Sequence, residues 1–323
     1  MRIDKNTTIR LGDRNIVKVK LGDVVIWQKT TEPVEGPDYF YIESLGDGNT
    51  ISVKNQGDGS ITNVTPTLEY SKDKNTWNTI TFDWTSGTHT TELPIALNTG
   101  EKMYFRNDTR LFSNSSSKYI SFSSTVSSNV GGDIRTLSNY LDVNNETKPK
   151  SNMFQNLFSD NKKIVDASNL KLSYTTLAIK CYQAMFYGCT SLTTAPSLPA
   201  TTLAEYCYES MFRGCTSLTT APTLPATNLA DNCYITMFQN CTSLTTAPEL
   251  PATTLKYYCY YSMFSGCTSL NNVTVYANDI SATNCTAYWL SNVASSGTFR
   301  NLGSATYSRD GNGIPTGWTE VRN

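Results

Sequence analysis

The apolar residues in the second half of the chain recur every four positions. Leu203, Cys207 and Met211 show this spacing, which places side chains on one face of an amphipathic helix. The stretch Thr202–Glu205 matches a capping box, and the position of Gly214 carries glycine or asparagine in the clean copies, as a left-handed helix C-cap requires. The pattern predicts a short helix that begins near Leu203 and ends just before Cys215.

This predicted helix belongs to a unit of 26 residues that is written almost unchanged more than three times between Cys181 and Leu270. Each copy continues with a segment such as Ser217–Pro225, whose prolines suit a short, irregular strand better than a helix. A unit of this kind buries its apolar face only by stacking on the next copy. The period predicts an α/β leucine-rich-repeat solenoid at residues 153–323, with atypical N- and C-terminal caps.

Short runs of alternating apolar and polar residues dominate positions 38–142, as in Phe40–Ile42, Ile51–Val53 and Lys102–Phe105. Clusters of Gly, Asn, Ser and Asp separate these runs, which is typical of antiparallel strands joined by turns. The stretch predicts an antiparallel β-sandwich at 38–142. The polar residues Asn144–Ser151 are expected to join it to the solenoid.

Residues 1–30 contain a small duplication, in which a β-branched run and a Leu-Gly-Asp turn occur twice before Ile26 and Trp27. The duplication predicts two or three strands. So short a module cannot bury a core of its own, and we expect it to pack on its own chain, another subunit or a larger particle. Residues 31–37, rich in Pro, Gly and Glu, are a predicted linker.

The charge of the chain is low, with 16% charged residues and a net charge of −1. Nucleic-acid binding through a basic face is therefore not expected. The opening residues lack the apolar core of a signal peptide, and the sequence has no apolar run long enough for a membrane span. We expect the protein to stay in the cytosol of the cell that makes it, unless lysis or a dedicated system releases it.

The nine cysteines fall on two ladders with a spacing of 26 residues. Zinc sites need close cysteine pairs and usually histidine, whereas the single histidine, His89, stands in a predicted turn. Stacked copies would hold equivalent Cβ vectors parallel, which disfavours disulfides. We interpret the cysteines as small, buried core residues. They are Cys181, Cys207, Cys233, Cys259 and Cys285 on one ladder and Cys189, Cys215, Cys241 and Cys267 on the other.

Catalytic chemistry has little support in the sequence. Glu205 with Glu209, or Glu249, could in principle act as a glycosidase carboxylate pair, but such side chains on repeat surfaces are usually solvated. No motif shows a base and its partner. We predict a protein that is not an enzyme and needs no cofactor or metal.

Comparison among the copies separates constant positions from changing ones. Constant positions are those that stacking requires, while changing positions are expected to be exposed and able to contact a glycan or a protein. The alternative is that they drift because nothing touches them. The candidate ligand-binding columns are Tyr187, Arg213, Gln239 and Ser265; Ser197, Thr223 and Glu249; and Tyr206, Asn232 and Tyr258, which follow Glu205, Asp231 and Tyr257.

The repeat text, with its MFxGCTSLTTAPxLPATTLAxxCY unit, resembles the BspA-like leucine-rich repeats of gut-bacterial surface proteins and of the phages that infect those bacteria. The resemblance covers residues 153–318, including the closing Gly313–Trp318. The sandwich segment looks like the Ig-like or fibronectin-like module that often precedes such repeats. The opening duplication is similar to N-terminal segments of phage structural proteins. The resemblance implies adhesion and partner binding, with no catalytic residues.

Two functional hypotheses follow from different classes. A bacterial adhesin at the cell surface should carry a signal peptide or lipobox, whereas a phage virion protein, assembled in the host cytoplasm, needs none. We therefore predict a head-fibre, tail-fibre or decoration protein, in which residues 1–30 dock on virion structural proteins and the solenoid binds a host-surface protein or glycan. A structural virion component without a ligand is the third hypothesis. Fibres are commonly trimeric, but the repeats lack the coiled-coil heptads that would enforce a homo-oligomer.

Overall fold

The computed structural model describes residues 37–57, 67–107, 119–139, 141 and 147–322, together with the backbone of short strands between residues 10 and 28. The chain divides into two compact units, Met1–Gly36 and Pro37–Asn323. Most of the predicted linker at 31–37 lies outside the described residues. In the first unit the duplication forms two antiparallel pairs, four strands where two or three were predicted. These strands are β1 (Arg10–Leu11), β2 (Arg14–Asn15), β3 (Lys18–Leu21) and β4 (Val24–Gln28).

The second unit begins with strands in the region predicted to be a sandwich. They are β5 (Phe40–Ser44), β6 (Ile51–Gly57), β7 (Thr67–Ser71), β8 (Asn78–Thr81), β9 (Gly87–Glu92), β10 (Lys102–Arg106), β11 (Tyr119–Ser124) and β12 (Ser128–Asp133). A further strand, β13 (Ile164–Lys171), joins β12, β5, β10, β7 and β8 in a six-stranded sheet. A second sheet has the order β11-β6-β9.

The two sheets enclose an aromatic core, because their strands alternate buried and partly exposed side chains as period-two patterns require. Phe40 on β5 and Phe105 on β10 belong to the larger sheet. Their rings lie 5.4 and 4.8 Å, between centroids, from the ring of Phe122 on β11 of the smaller sheet. Two β layers therefore pack on each other in this region.

The larger sheet crosses the predicted boundary between the sandwich and the repeats. Strand β13 lies after the polar joint, yet it pairs in parallel with β12, while β12 pairs antiparallel with β5. The ring of Phe158, which precedes β13, lies 5.8 Å from Phe40 and 5.1 Å from Phe186 in the first clean repeat. The sandwich and the repeats thus share one sheet and one hydrophobic core.

The α/β leucine-rich-repeat solenoid predicted at 153–323 is wrong. The helix that the structure describes, α1 (Thr136–Asn139), has four residues and lies before the repeats. Residues 172–271, all of them described, form turns and isolated bridges in place of the predicted helices and strands. The capping-box pattern at Thr202–Glu205 therefore starts no helix. The bridges join Thr194, Thr220 and Thr246 in parallel, one residue per copy.

The four-residue spacing explains why the helix prediction failed. In an α-helix each step of four residues advances about 40° beyond a full turn, so a strict four-residue pattern drifts around the helix. In this protein the backbone instead forms a row of consecutive turns. The amide of Gln183 donates to the carbonyl of Lys180 over 3.2 Å and closes such a turn. The amide of Ala184 donates to the carbonyl of Glu209, in the next copy, over 2.8 Å.

Along each row, backbone amides alternate between two kinds of hydrogen-bond partner. Amides such as those of Met185 and Met211 bond within their own row, to the carbonyls of Tyr182 and Tyr208. The intervening amides bond to the next copy, as Phe186 does to Met211 over 2.9 Å. The rows are therefore joined copy to copy by hydrogen bonds, and buried backbone groups find partners without a helix or a continuous strand. We call residues 152–292, which these bonds connect, the repeat stack.

Every fourth residue of a row has a left-handed backbone, which interrupts any helical run. Gly188, Gly214, Asn240 and Gly266, predicted to be left-handed, do have φ between 62° and 78°, but they end rows of turns and cap no helix. Non-glycine residues take the same conformation inside the rows. In the clean copies they are Lys180, Ala184, Tyr206, Ser210, Asn232, Thr236, Tyr258 and Ser262.

Identical side chains stack on one another inside the repeat stack. The ring of Phe212 lies 5.6 Å from both Phe186 and Phe238, with interplanar angles of 9° and 10°. A parallel ladder runs through the tyrosines that follow the first cysteine of each copy. At the C-terminal end Trp289 takes the place of a methionine and stacks on Tyr260. A parallel sheet of β14 (Asn272–Val275), β15 (Gly297–Asn301) and β16 (Trp318–Arg322) follows.

Candidate binding face

The constant side chains of each row point into the core, and most of the changing ones point outward. In the first clean copy Cys181, Tyr182 and Met185 are fully buried, whereas Gln183 and Tyr187 are partly exposed. The same division recurs because the row repeats every four residues. We call the surface formed by the outward positions of successive rows the turn face.

The first predicted column lies on the turn face. Tyr187, Arg213, Gln239 and Ser265 are all partly exposed. The Arg213 guanidinium lies over the Tyr187 ring, with Cζ 5.7 Å from the centroid, a geometry that allows a cation–π contact. Exposed side chains of neighbouring copies therefore contact each other at this point of the turn face.

The column of Tyr206, Asn232 and Tyr258 is only partly as predicted. Both tyrosines are partly exposed, and the Lys180 ammonium lies 5.2 Å from the Tyr206 centroid. Asn232 is only 4% exposed, so its prediction as an exposed contact residue is wrong. Its short side chain folds back, and its Nδ2 donates to Glu205 Oε1 over 3.5 Å, whereas the longer tyrosines reach the surface.

The column of Ser197, Thr223 and Glu249 is exposed, as predicted. It does not belong to the rows of turns, because its residues follow the bridge residues Thr194, Thr220 and Thr246 in the sequence. Glu249 Oε2 accepts a hydrogen bond from the Tyr276 hydroxyl over 3.3 Å. The three candidate columns therefore occupy two different segments of each copy.

A depression of about 320 Å³ opens on the turn face near the N-terminal end of the repeat stack. It contains Tyr187, from the predicted list, and residues that the list missed. Its lining is Gln155, Asn156, Ser159, Gln183, Ala184, Tyr187, Glu209 and Ser210. Amide, hydroxyl, carboxyl and phenol groups thus converge there, which suits recognition of a polar ligand by hydrogen bonds.

Glu209 supplies the carboxyl group of the depression. Gln183 Nε2 donates to Glu209 Oε2 over 2.6 Å. Burial raises the pKa of Glu209, and the Gln183 hydrogen bond and the Lys180 charge oppose this shift. The two carboxyls considered for catalysis bond to different side chains, Glu205 to Asn232 and Glu209 to Gln183.

A second feature of the turn face lies toward the C-terminal end, where four tyrosines from two neighbouring rows meet. Adjacent centroids are 4.4, 5.0 and 5.9 Å apart along this set. We call it the tyrosine cluster: Tyr257, Tyr258, Tyr261 and Tyr288. The predicted columns did not include Tyr261 and Tyr288. Their positions also change between copies, since Gln183 is equivalent to Tyr261 and Ser262 is equivalent to Tyr288.

The nine cysteines, all within the described repeats, are free and buried, as expected for core residues. Burial raises the pKa of the Cys207, Cys259 and Cys267 thiols to about 12. Buried thiols of this kind are poor nucleophiles, because reactivity belongs to the thiolate.

The described residues contain no group of three or more His, Cys, Asp or Glu side chains that could hold a metal ion. His89 lies on strand β9, not in the predicted turn, and its Nε2 is 3.1 Å from Thr85 Oγ1. Within the described ranges, the structure has no helix of the length and apolarity that crossing a membrane requires.

No protein-family model, curated protein or solved structure matches the chain. The relationships to BspA-like repeats, to an Ig-like module and to phage proteins therefore stay predictions from the sequence.

Proposed function

We propose that the protein is a non-enzymatic binding protein, a fibre or decoration component of a phage virion, whose turn face contacts the surface of the host cell. The observation that carries this proposal is the division within each row. The inward residues are nearly identical from copy to copy, while the outward residues differ and form a polar depression and an aromatic cluster.

The repeat stack suits such a role, because its hydrogen bonds and ring ladders set the outward positions at fixed intervals. Side chains on the turn face can then change without loss of the core, since the changing positions are not the stacked ones. Repeat proteins use extended surfaces of this kind for binding.

In this proposal the module at residues 1–30 docks the protein on virion structural proteins. Its support is the small size of the first unit, Met1–Gly36, which cannot bury a core of its own. Side chains of this unit lie outside the described residues, so the docking partner follows from the sequence alone.

The proposal is tested by adding the labelled full-length chain to a panel of intact gut-bacterial strains. We expect saturable binding to at least one strain, and a loss of about tenfold in affinity for the double variant Tyr187→Ala, Glu209→Gln, because it removes two converging groups of the depression.

The matched control is Ser197→Ala, Thr223→Ala, which changes two exposed residues of the other segment and should bind as the unchanged chain does. Thermal melts check that both variants fold. Absence of saturable binding by the unchanged chain to every strain contradicts the proposed function. Loss of binding in the control alone moves the binding surface away from the turn face.

A further inference from the structure

The tyrosine cluster brings exposed aromatic rings together on the surface of the described repeats. Tyr257 and Tyr288 are 48% and 55% exposed, whereas the stacked tyrosines of the core ladder are almost fully buried. Monomer surfaces rarely leave grouped aromatic rings in water unless they contact something. Packing in the core does not account for the cluster, and we therefore consider it as a contact surface.

Contacts between the rings hold Tyr258 against Tyr257 and Tyr261, and Asn284 Nδ2 donates to the Tyr258 hydroxyl over 2.6 Å. Tyr261 meets Tyr288 edge to face, with an interplanar angle of 83°. Rings that are already fixed lose little conformational entropy when a ligand binds.

The surroundings of the rings are polar, and the charged side chains of Lys256 and Asp231, next to Tyr257, are of opposite sign. Ser265, Thr283 and Asn284 occupy outward positions of the same two rows. The nearby carboxylate of Asp231 accepts a hydrogen bond from the Tyr257 amide over 3.2 Å. Large exposed aliphatic residues of the described repeats lie elsewhere, as Ile179 does in the first clean copy.

From this arrangement we propose that the tyrosine cluster is a platform on which the pyranose rings of an uncharged glycan bind. A pyranose ring presents a face of C–H groups, which packs on an aromatic ring, and an edge of hydroxyls, which can bond to serine, threonine and asparagine. Tyrosine is also enriched at protein interfaces, so a protein partner is the alternative that the experiments below must distinguish. The inference rests on the proposed function and names the ligand of the same face.

The first experiment measures binding of the full-length chain to a responsive bacterial strain after two treatments of the cells. Periodate, which cleaves the vicinal diols of sugars, should abolish binding, and protease should leave it within about twofold. Binding to dextran, mannan and xyloglucan, three uncharged polysaccharides, is measured in parallel, and we expect saturation with at least one of them.

Paired variants separate ring stacking from hydroxyl chemistry. The double variant Tyr257→Ala, Tyr288→Ala removes the two most exposed rings and should weaken binding about tenfold or more. The matched variant Tyr257→Phe, Tyr288→Phe keeps the rings and should stay within about threefold of the unchanged chain. Both positions are exposed, so we expect both variants to fold.

The outcomes distinguish this inference from the function on which it rests. Binding that survives periodate and is lost with protease overturns the glycan inference, while host-surface binding stands. Equal losses in the Phe and Ala variants overturn ring stacking. Absence of binding to any cell contradicts the proposed function as well.

Discussion

The sandwich and the repeat stack solve the same problem, hydrogen bonding a buried backbone, by different means. In the sandwich, strands such as β5 and β10 bond to neighbouring strands, and alternate side chains enter the core. In the repeat stack, alternate amides bond within a row of turns and the others bond to the next copy. The two-residue period needs no special residues, whereas the four-residue period needs a left-handed residue at each step.

The difference in core composition gives the largest expected effect, which is a response to alkaline pH. All nine cysteines lie in the repeats. The ordinary pKa of a thiol is 9.0, and burial raises that of Cys207, Cys259 and Cys267 to about 12. Above pH 9 the unfolded chain therefore loses protons that the native protein keeps. The contribution of these thiols to the free energy of unfolding should therefore be fully present below pH 9 and be lost as pH rises toward 12.

This response is measured from urea unfolding at a series of pH values from 8 to 11. Each thiol that keeps its proton should lower the free energy of unfolding by about 1.4 kcal/mol per pH unit above pH 9. The variant Cys207→Val removes one such group and should show a correspondingly smaller slope. A free energy of unfolding that is constant to pH 11 would mean that the thiols are not buried as described.

The next effect tests whether the two regions are joined through one core. Phe158 is fully buried and contacts Phe40 of the sandwich and Phe186 of the first clean copy. We expect Phe158→Ala to lower the free energy of unfolding by about 3–5 kcal/mol. Phe158→Leu, which fills most of the space, should cost less.

Circular dichroism during urea unfolding measures the Phe158 variants. Because residues Pro37–Asn323 form one compact unit, we expect a single transition to shift in Phe158→Ala. A loss below about 1 kcal/mol, or a transition in only one region, would contradict a shared core.

The sequence shows how far pattern alone predicts this molecule. Alternation at Phe40–Ile42 and Lys102–Phe105 correctly predicted strands β5 and β10, because a period of two residues is typical of β-strands. The 26-residue period correctly related equivalent positions, as the stacked Phe186 and Phe212 show. The helix prediction failed because a spacing of four was treated as 3.6, and the strict recurrence of Leu203, Cys207 and Met211 was the available signal against it.

The candidate site was predictable in part. Column comparison identified Tyr187 and Tyr258, because outward positions of a stack are free to change. It could not predict the depression, which depends on Gln155 and Asn156 from a degenerate copy outside the clean register. Nor could it predict that Asn232 folds back, since this depends on the contact of its short side chain with Glu205.

The smallest expected effect is the most direct test of the central claim, that the repeats are rows of turns with left-handed residues. Ala184 has a φ of 52°, where alanine is strained and glycine is not. We expect Ala184→Gly to raise the free energy of unfolding by about 0.5–1 kcal/mol. In the predicted helix the same change would lower it by about 1 kcal/mol.

Two further variants, measured in the same urea titration, serve as references for the change in the free energy of unfolding. Gly214→Ala should cost about 1–2 kcal/mol, because φ is 77° there although the added Cβ would meet only Gly188 atoms at 3.7 Å. Ala204→Gly, at a residue outside the left-handed set, should lower stability slightly. A gain in stability for Ala184→Gly together with losses for both further variants is the predicted result. A loss for Ala184→Gly equal to that of Ala204→Gly would contradict the turn rows.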